Sequence, residues 1–245
     1  MTTLKSHKFG FSPLRRAVLS LALTGSLALA GWSTPSMAQV KELSVALSTP
    51  VTTVDPHFHN LTPNNAMAAH VFETLVKADA SLKTYPGLAE SWKAISDTEW
   101  EFKLRKNVKW HNGEPFTAED VAATIKRIPN VPNSPASFAV FVRAIKEVKI
   151  VDPHTIRFTT ATTYPLLPTD MVSVSIVPKA IADGAQTEDF NSGKAMIGTG
   201  PFRFQEYVSG DRIILTRNKD YYGDQQSWDK VTFRIITSAP ARVAA

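Results

Sequence analysis

Residues 85–127 read YPGLAESWKAISDTEWEFKLRKNVKWHNGEPFTAEDVAATIKR, and the hydrophobic period of this stretch changes twice. Trp100, Phe102 and Leu104 alternate with Glu99, Glu101 and Lys103, the period-2 pattern of a strand buried on one face. Val108 and Trp110 lead into Asn112-Gly113, a pair that tolerates positive φ and favours a tight turn. Thr117 precedes Asp120 by three residues, the spacing of a capping box at a helix start. Val121, Ala122, Ile125 and Ile128 then share one helical face. These residues predict strand, turn and capped amphipathic helix. Glu99, Glu101, Glu119 and Asp120 are accounted for as a solvated strand face and a helix first turn, where negative charge meets the helix dipole.

The same letters carry a resemblance. Gly87-Leu88-Ala89-Glu90-Ser91-Trp92, the strand ending Leu104-Arg105-Lys106, and the run from Trp110-His111-Asn112-Gly113 to Asp120-Val121 are similar to the signature block of the family 5 extracellular solute-binding proteins. That family supplies the peptide- and nickel-binding components of bacterial ABC importers. A second block, residues 198–223, resembles it too, with its glycine pair Gly198 and Gly200, its hairpin and its terminal Tyr221-Tyr222-Gly223. The two glycines permit close backbone approach.

Working outward, the chain of 245 residues is long enough to bury a full core. Its net charge of +5 is concentrated at the start. Lys5, Lys8, Arg15 and Arg16 precede Gln39 with no acidic residue among them; setting them aside leaves 23 of the 27 Lys and Arg against 22 Asp and Glu, a net of +1. That balance excludes a nucleic-acid footprint. The basic start, the apolar run at residues 17–30 and Ser36-Met37-Ala38 predict a signal peptide over residues 1–38, cleaved after Ala38. The apolar run is too short for a membrane span. Arg15-Arg16 suggests twin-arginine export, but Ala17-Val18-Leu19 fits it poorly, which favours the general secretory route. With no cysteine in the chain, neither a lipoprotein anchor nor disulfides are expected. The mature chain is expected in the periplasm.

Leu43-Ser44-Val45-Ala46-Leu47 alternates and predicts the first strand. Asn64 or Asn65 is placed to cap a helix with Met67, Ala68, Val71, Phe72, Leu75 and Val76 as its apolar stripe. Two hairpins are predicted further on, one across Asp152-Pro153-His154 and one across Ser209-Gly210-Asp211; residues 172–177 and 231–236 read as strands. Ser238 and Pro240 start a helix that only five residues follow. Because family members continue here into a second lobe, the chain reads as a fragment.

The resemblance implies an α/β, periplasmic-binding-protein-like fold of the class II, cluster C type, present here as an N-terminal lobe plus a small subdomain. Residues 39–55 and 161–245 would form the incomplete first lobe, residues 56–160 the inserted subdomain, and the second lobe would be absent. It implies capture of a small peptide or similar solute for ABC permease subunits in the inner membrane, by a monomer that is no enzyme and carries no cofactor. Ligand contacts carried over by motif position are the backbone at Ser48, Thr49, Pro50 and Val51, walls at Tyr164 and Pro165, and the loop Gly198, Thr199, Gly200, Pro201 and Phe202. An extended peptide could pair with the edge at Ser48–Val51 regardless of its side chains. With one lobe missing, affinity is expected no tighter than about millimolar, and stability is expected to be marginal because a sheet face awaits its returning strand.

Other chemistry finds little support. His57, His59 and His70 invite a metal, but no cysteine or carboxylate cluster completes a coordination set. His111 reads as a structural turn residue. There is no G-x-S-x-G elbow, and Gly193-Lys194-Ala195 lacks the form of a phosphate loop. The alternatives carried are a single-lobe interaction module that does not close on ligand and a secreted hydrolase.

Overall fold

The structure, a computed structural model, describes residues 40–244. The signal-peptide reading and the cleavage after Ala38 lie outside the described residues. Strand β1 (Glu42–Leu47) opens the chain. Helix α1 (Thr62–Val71) has Pro63 in its first turn and starts at Leu61, not at an asparagine. Asn64 is spent elsewhere: its side chain bridges Thr52 and the His59 carbonyl. The predicted stripe is buried throughout, but α1 stops at Val71 and Leu75 and Val76 pass into β2 (Val76–Ala78). Then come β3 (Thr84–Pro86), β4 (Ala89–Ser96) and β5 (Glu99–Leu104).

Between β5 and α2 (Ala118–Arg127) lies the predicted turn, with Gly113 at φ +91° and its N–H donating to the Trp110 carbonyl at 2.8 Å. Asp120 closes the helix start, accepting the Thr117 backbone N–H at 2.8 Å. The same carboxylate accepts the Trp110 indole N–H at 3.3 Å and the Lys179 backbone N–H at 2.8 Å. Burial pushes its pKa up, against those donors. Asp120→Ala will therefore strand three donors and cost about 3 kcal/mol in a denaturant titration, whereas an exposed cap typically costs about 1 kcal/mol.

Short helix α3 (Ala139–Val142) precedes the hairpin of β6 (Ile145–Asp152) and β7 (Thr155–Thr160). Helices α4 (Leu167–Asp170), α5 (Lys179–Ala182) and α6 (Thr187–Asn191) follow. Residues 172–177, read as a strand, form only one antiparallel bridge, Thr74 to Ser175. Val174, Ile176 and Val177 are buried against the two cores, so their β-branched run reports packing instead of a ladder. The second hairpin is β8 (Phe202–Val208) and β9 (Arg212–Arg217); β10 (Lys230–Ile235) and α7 (Ala239–Ala244), which buries no residue, complete the described chain.

The strands make two four-stranded sheets and a two-stranded ribbon of β2 and β3. One sheet has the order β1-β10-β9-β8, with β1 parallel to β10 in the register Leu43 to Val231 and Val45 to Phe233. The other, β4-β5-β7-β6, is antiparallel throughout. Each builds its own core. Phe102, Leu104, Ile156, Phe158, Trp110 and Phe116 fill the second sheet's core; Val51, Met67, Val71, Phe72, Ile213, Leu215 and Phe233 fill the first. Helix α2 wedges between them, giving Val121 and Ile125 to one core and Ala123 to the other. Helix α1 packs with the first sheet, and Leu167, Met171, Val174 and Ile176 pack with the second, so both cores draw residues across the boundaries at 55/56 and 160/161 read from sequence.

The outward face of β5 departs from the solvated face expected of it. Glu101 is only 6% exposed. Arg157 on β7 donates to its carboxylate at 2.8 Å, and Lys93 and Lys103 flank it.

Candidate functional site

The loop after β1 is pinned from behind and open in front. Ser48, Thr49 and Pro50 are exposed, while Val51 is buried and its carbonyl accepts the Tyr207 hydroxyl at 2.9 Å. Thr52 gives its N–H to Asn64 (3.0 Å), and the Asn191 amide oxygen takes both the Thr53 hydroxyl (2.9 Å) and the Val54 N–H (3.1 Å). Because β1 is an edge strand, its outer backbone groups have no partner strand within the sheet. The geometry offers an ordered, backbone-lined edge that continues into Ser48–Pro50.

The glycine loop is enclosed. Gly198, Thr199, Gly200 and Phe202 are all buried. The Gly200 N–H donates to the Val71 carbonyl at 2.9 Å, and the Gly200 carbonyl accepts the Asn218 side-chain amide at 3.0 Å. A Cβ on Gly198 would stand 1.8 Å from the Val71 carbonyl oxygen. These four residues are thus positioned to join β8 to the end of α1; of the loop, Pro201 borders open space. Tyr164 gives its hydroxyl to Asp170 (2.7 Å) and its carbonyl to the Trp100 indole (3.2 Å), with Pro165 exposed beside it. Tyr164 packs on the second core and Val51 belongs to the first, so the structure does not gather the expected contact residues into one cluster.

Sequence reasoning missed the cleft itself, about 520 Å³, between α1, the β2–β3 ribbon and residues 172–175. Its walls include Asn65, Phe72, Glu73, Lys77, Tyr85, Phe138, Ser175, Pro201, Tyr221 and Gln226. Glu73 is 3% exposed. One of its carboxylate oxygens accepts Lys77 Nζ (2.7 Å) and the hydroxyls of Tyr221 (2.9 Å) and Tyr222 (3.0 Å). The other, Oε2, is buried without a partner. Burial, then the Glu73 charge, pushes both phenol pKa values upward. A glutamate inside the run Phe72-Glu73-Thr74-Leu75 was the available signal. Its tyrosine partners, 148 and 149 residues away, were not.

The histidines do not converge. His57 Nε2–H donates to the Ser175 carbonyl at 2.7 Å, and its Nδ1 accepts from Arg127 at 2.7 Å. His59 Nδ1 pairs with the Thr52 hydroxyl at 3.0 Å, and His70 donates to the Ala66 carbonyl at 2.8 Å with its ring against Phe233. Among the described residues no group of three His, Cys, Asp or Glu is placed to hold a metal. Among them, too, no helix is long and apolar enough to cross a membrane.

Arg127 anchors a buried cluster with Asp55 in a two-pronged pair, 3.2 Å to Oδ1 and 2.8 Å to Oδ2, its guanidinium lying 4.8 Å from the centre of the Phe190 ring. Thr187 also donates to Asp55, at 2.9 Å. Burial raises the Asp55 pKa, but Arg127 outweighs it and holds the carboxyl below its usual value.

Two sheets, a free edge-strand loop and an open cleft of about 520 Å³ make up the candidate site. Residues 83–245 match the model of the bacterial extracellular solute-binding proteins, family 5 Middle, and the chain belongs to this family. It is 31% identical over 237 residues to the nickel-binding periplasmic protein of Escherichia coli (strain K12), covering 96% of this chain and 44% of that one. It is 28% identical over 243 residues to the periplasmic oligopeptide-binding protein OppA of the same organism, covering 90% and 44%. The crystal structure of NikZ from Campylobacter jejuni in complex with Ni(L-His) superposes with a TM-score of 0.74 at 25% identity, over 83% of this chain and 41% of that one. The fold is periplasmic-binding-protein-like, and the chain spans about 44% of the length of these two curated relatives.

Proposed function

We propose that this chain is the solute-capturing lobe of a periplasmic binding protein that delivers a peptide or similar small solute to ABC permease subunits, without catalysis. The observation that carries the reading is the free edge of β1 running into exposed Ser48, Thr49 and Pro50, held in place by the Tyr207 hydroxyl on Val51. An extended ligand pairing there gains main-chain hydrogen bonds that are indifferent to its side chains. Closure of a second lobe over this edge would exclude water from the ligand. Tyr164, Pro165 and the Gly198–Phe202 loop belong to the same proposal, the loop acting chiefly by positioning Pro201. Export by a signal peptide over residues 1–38 and a monomeric state complete it.

Equilibrium dialysis of the chain against mixed di- to pentapeptides and against nickel–histidine, read by mass spectrometry of what is retained, tests the reading. Retention of peptides with varied side chains, with Kd near millimolar (about −4 kcal/mol) for this lobe alone, is the expected outcome. Retention of the nickel chelate alone would replace peptide with metal complex as the solute. Retention of neither, or hydrolysis of the peptides, would overturn the proposal.

A further inference from the structure

Two imidazoles close the seam between the two cores in the same chemical manner. His57, fully buried on the loop between β1 and α1, reaches across to Arg127 on α2 and to Ser175. A guanidinium only donates, so Nδ1 of His57 must be bare and the ring proton must sit on Nε2, facing the Ser175 carbonyl. His111, in the turn after β5, reaches across to the glycine loop that enters β8. It donates Nε2–H to the Gly200 carbonyl at 3.0 Å and accepts the Gly198 N–H at Nδ1, 3.3 Å away. Its backbone N–H meets the Gly198 carbonyl at 2.8 Å. Both rings are therefore held as the neutral Nε2–H tautomer, each by one acceptor and one donor: for His111 both stand on the glycine loop, and for His57 the acceptor is Ser175 and the donor Arg127 on α2, between the cores.

We propose that His57 and His111 form an acid-released latch, in which proton uptake at their Nδ1 atoms parts the seam between the two sheets while each sheet stays folded. A proton on either Nδ1 sets one N–H against another, so the bond is lost and not merely weakened. The surroundings offer the imidazolium little compensation. Around His57 stand Arg127, the Phe138 ring 6.3 Å away and the Asp55 carboxylate. That carboxylate favours the charged ring, but its oxygens are already taken by Arg127, Thr187 and the His57 backbone N–H. Around His111 stand Arg203, which donates to the His111 carbonyl, and Lys109, Asn112 and Asn218, with Asp220 bound to the far side of Arg203. Burial first, and the neighbouring arginine, hold both rings near a pKa of about 4.

The sign follows from those values. An exposed histidine titrates near 6.5, so between about pH 6.5 and 4 the parted form binds up to two protons that the closed form excludes. The closed seam has its full stability above pH 6.5 and loses it as pH falls towards 4. Its opening constant rises about a hundredfold per pH unit where both rings contribute, and about tenfold where one does. Ser175 and Pro201 line the cleft and lie next to the latch, so parting the seam dissolves the cleft.

Nuclear magnetic resonance on the chain tests this from pH 7.5 to 4.5. Imidazole nitrogen correlations should show both rings as Nε2–H at neutral pH. Amide exchange at Gly198 and His111, whose N–H groups cross the seam, should lose protection about a hundredfold per unit below pH 6.5 after correction for intrinsic rates, while Gly200, bonded to Val71, and Ile213 and Leu215 in β9 keep theirs. His111→Gln, which retains a donor for the Gly200 carbonyl, should reduce the dependence to about tenfold per unit. The wild-type profile decides the matter even if that variant does not fold. Either ring charged at pH 7.5, protection at Gly198 and His111 unchanged down to pH 4.5, or loss of β9 protection in step with theirs would overturn the latch.

Discussion

Gly198→Ala is expected to cost this chain its cooperative fold. The added Cβ would meet the Val71 carbonyl oxygen at 1.8 Å and its carbon at 2.6 Å, both backbone atoms fixed at the end of α1. No rotamer change relieves such a contact; the glycine loop or α1 has to move. The move would break the Gly200 N–H bond to Val71 and both bonds of the His111 ring to the loop. A cost of at least about 4 kcal/mol is expected, enough to unfold a chain near the lower end of the 5–15 kcal/mol that holds an ordinary domain together. Gly184→Ala is the internal control. Nothing lies within 4 Å of its Cβ position, so that change should be neutral or stabilising by up to about 1 kcal/mol. Far-ultraviolet circular dichroism and urea titration of the two variants side by side check the pair. A Gly198→Ala protein melting within 1 kcal/mol or so of the parent would show that the loop does not seat on α1 as described.

Asp55→Ala is the second large effect, expected at about 3–5 kcal/mol. It leaves the Arg127 guanidinium, whose side chain is 6% exposed, buried with its carboxylate gone, and it removes the acceptor of Thr187 and of the His57 backbone N–H. The cost comes from the stranded charge more than from the lost attraction. Replacing both members, Asp55→Leu with Arg127→Met, should therefore recover at least half of the single-variant loss. A double variant as unstable as Asp55→Ala would show that hydrogen-bond geometry, not charge burial, sets the cost.

The buried glutamates show why the site was harder to read than the fold. Glu101 sits at a solvent-facing position of a clean period-2 strand and is nonetheless covered, because Arg157 lies across it on β7. Glu73 sits within an apolar run, and its role depends on Tyr221 and Tyr222, which arrive from the other end of the described chain. The apparent strand at 172–177 fails for a related reason: β-branched residues serve a ladder or a core equally well, and here two cores claim them.

What the sequence determined by itself was the local structure and the family. The turn at Asn112-Gly113, the Asp120 cap, both hairpins and the existence of strands β1 and β10 rest on interactions between near neighbours or on a strict period, and the two motif blocks name the solute-binding family without any coordinates. Tertiary structure alone decided the cleft, the seam and the work of the histidines. Residue 111 reads as a turn residue until Gly198 and Gly200 are brought against it, and residue 57 reads as a loop histidine until Arg127 fixes its tautomer. The stretch at 85–127 announces strand, turn and helix because each is settled within a few residues. Its tie to the glycine loop spans nearly ninety residues and leaves no mark on the local pattern.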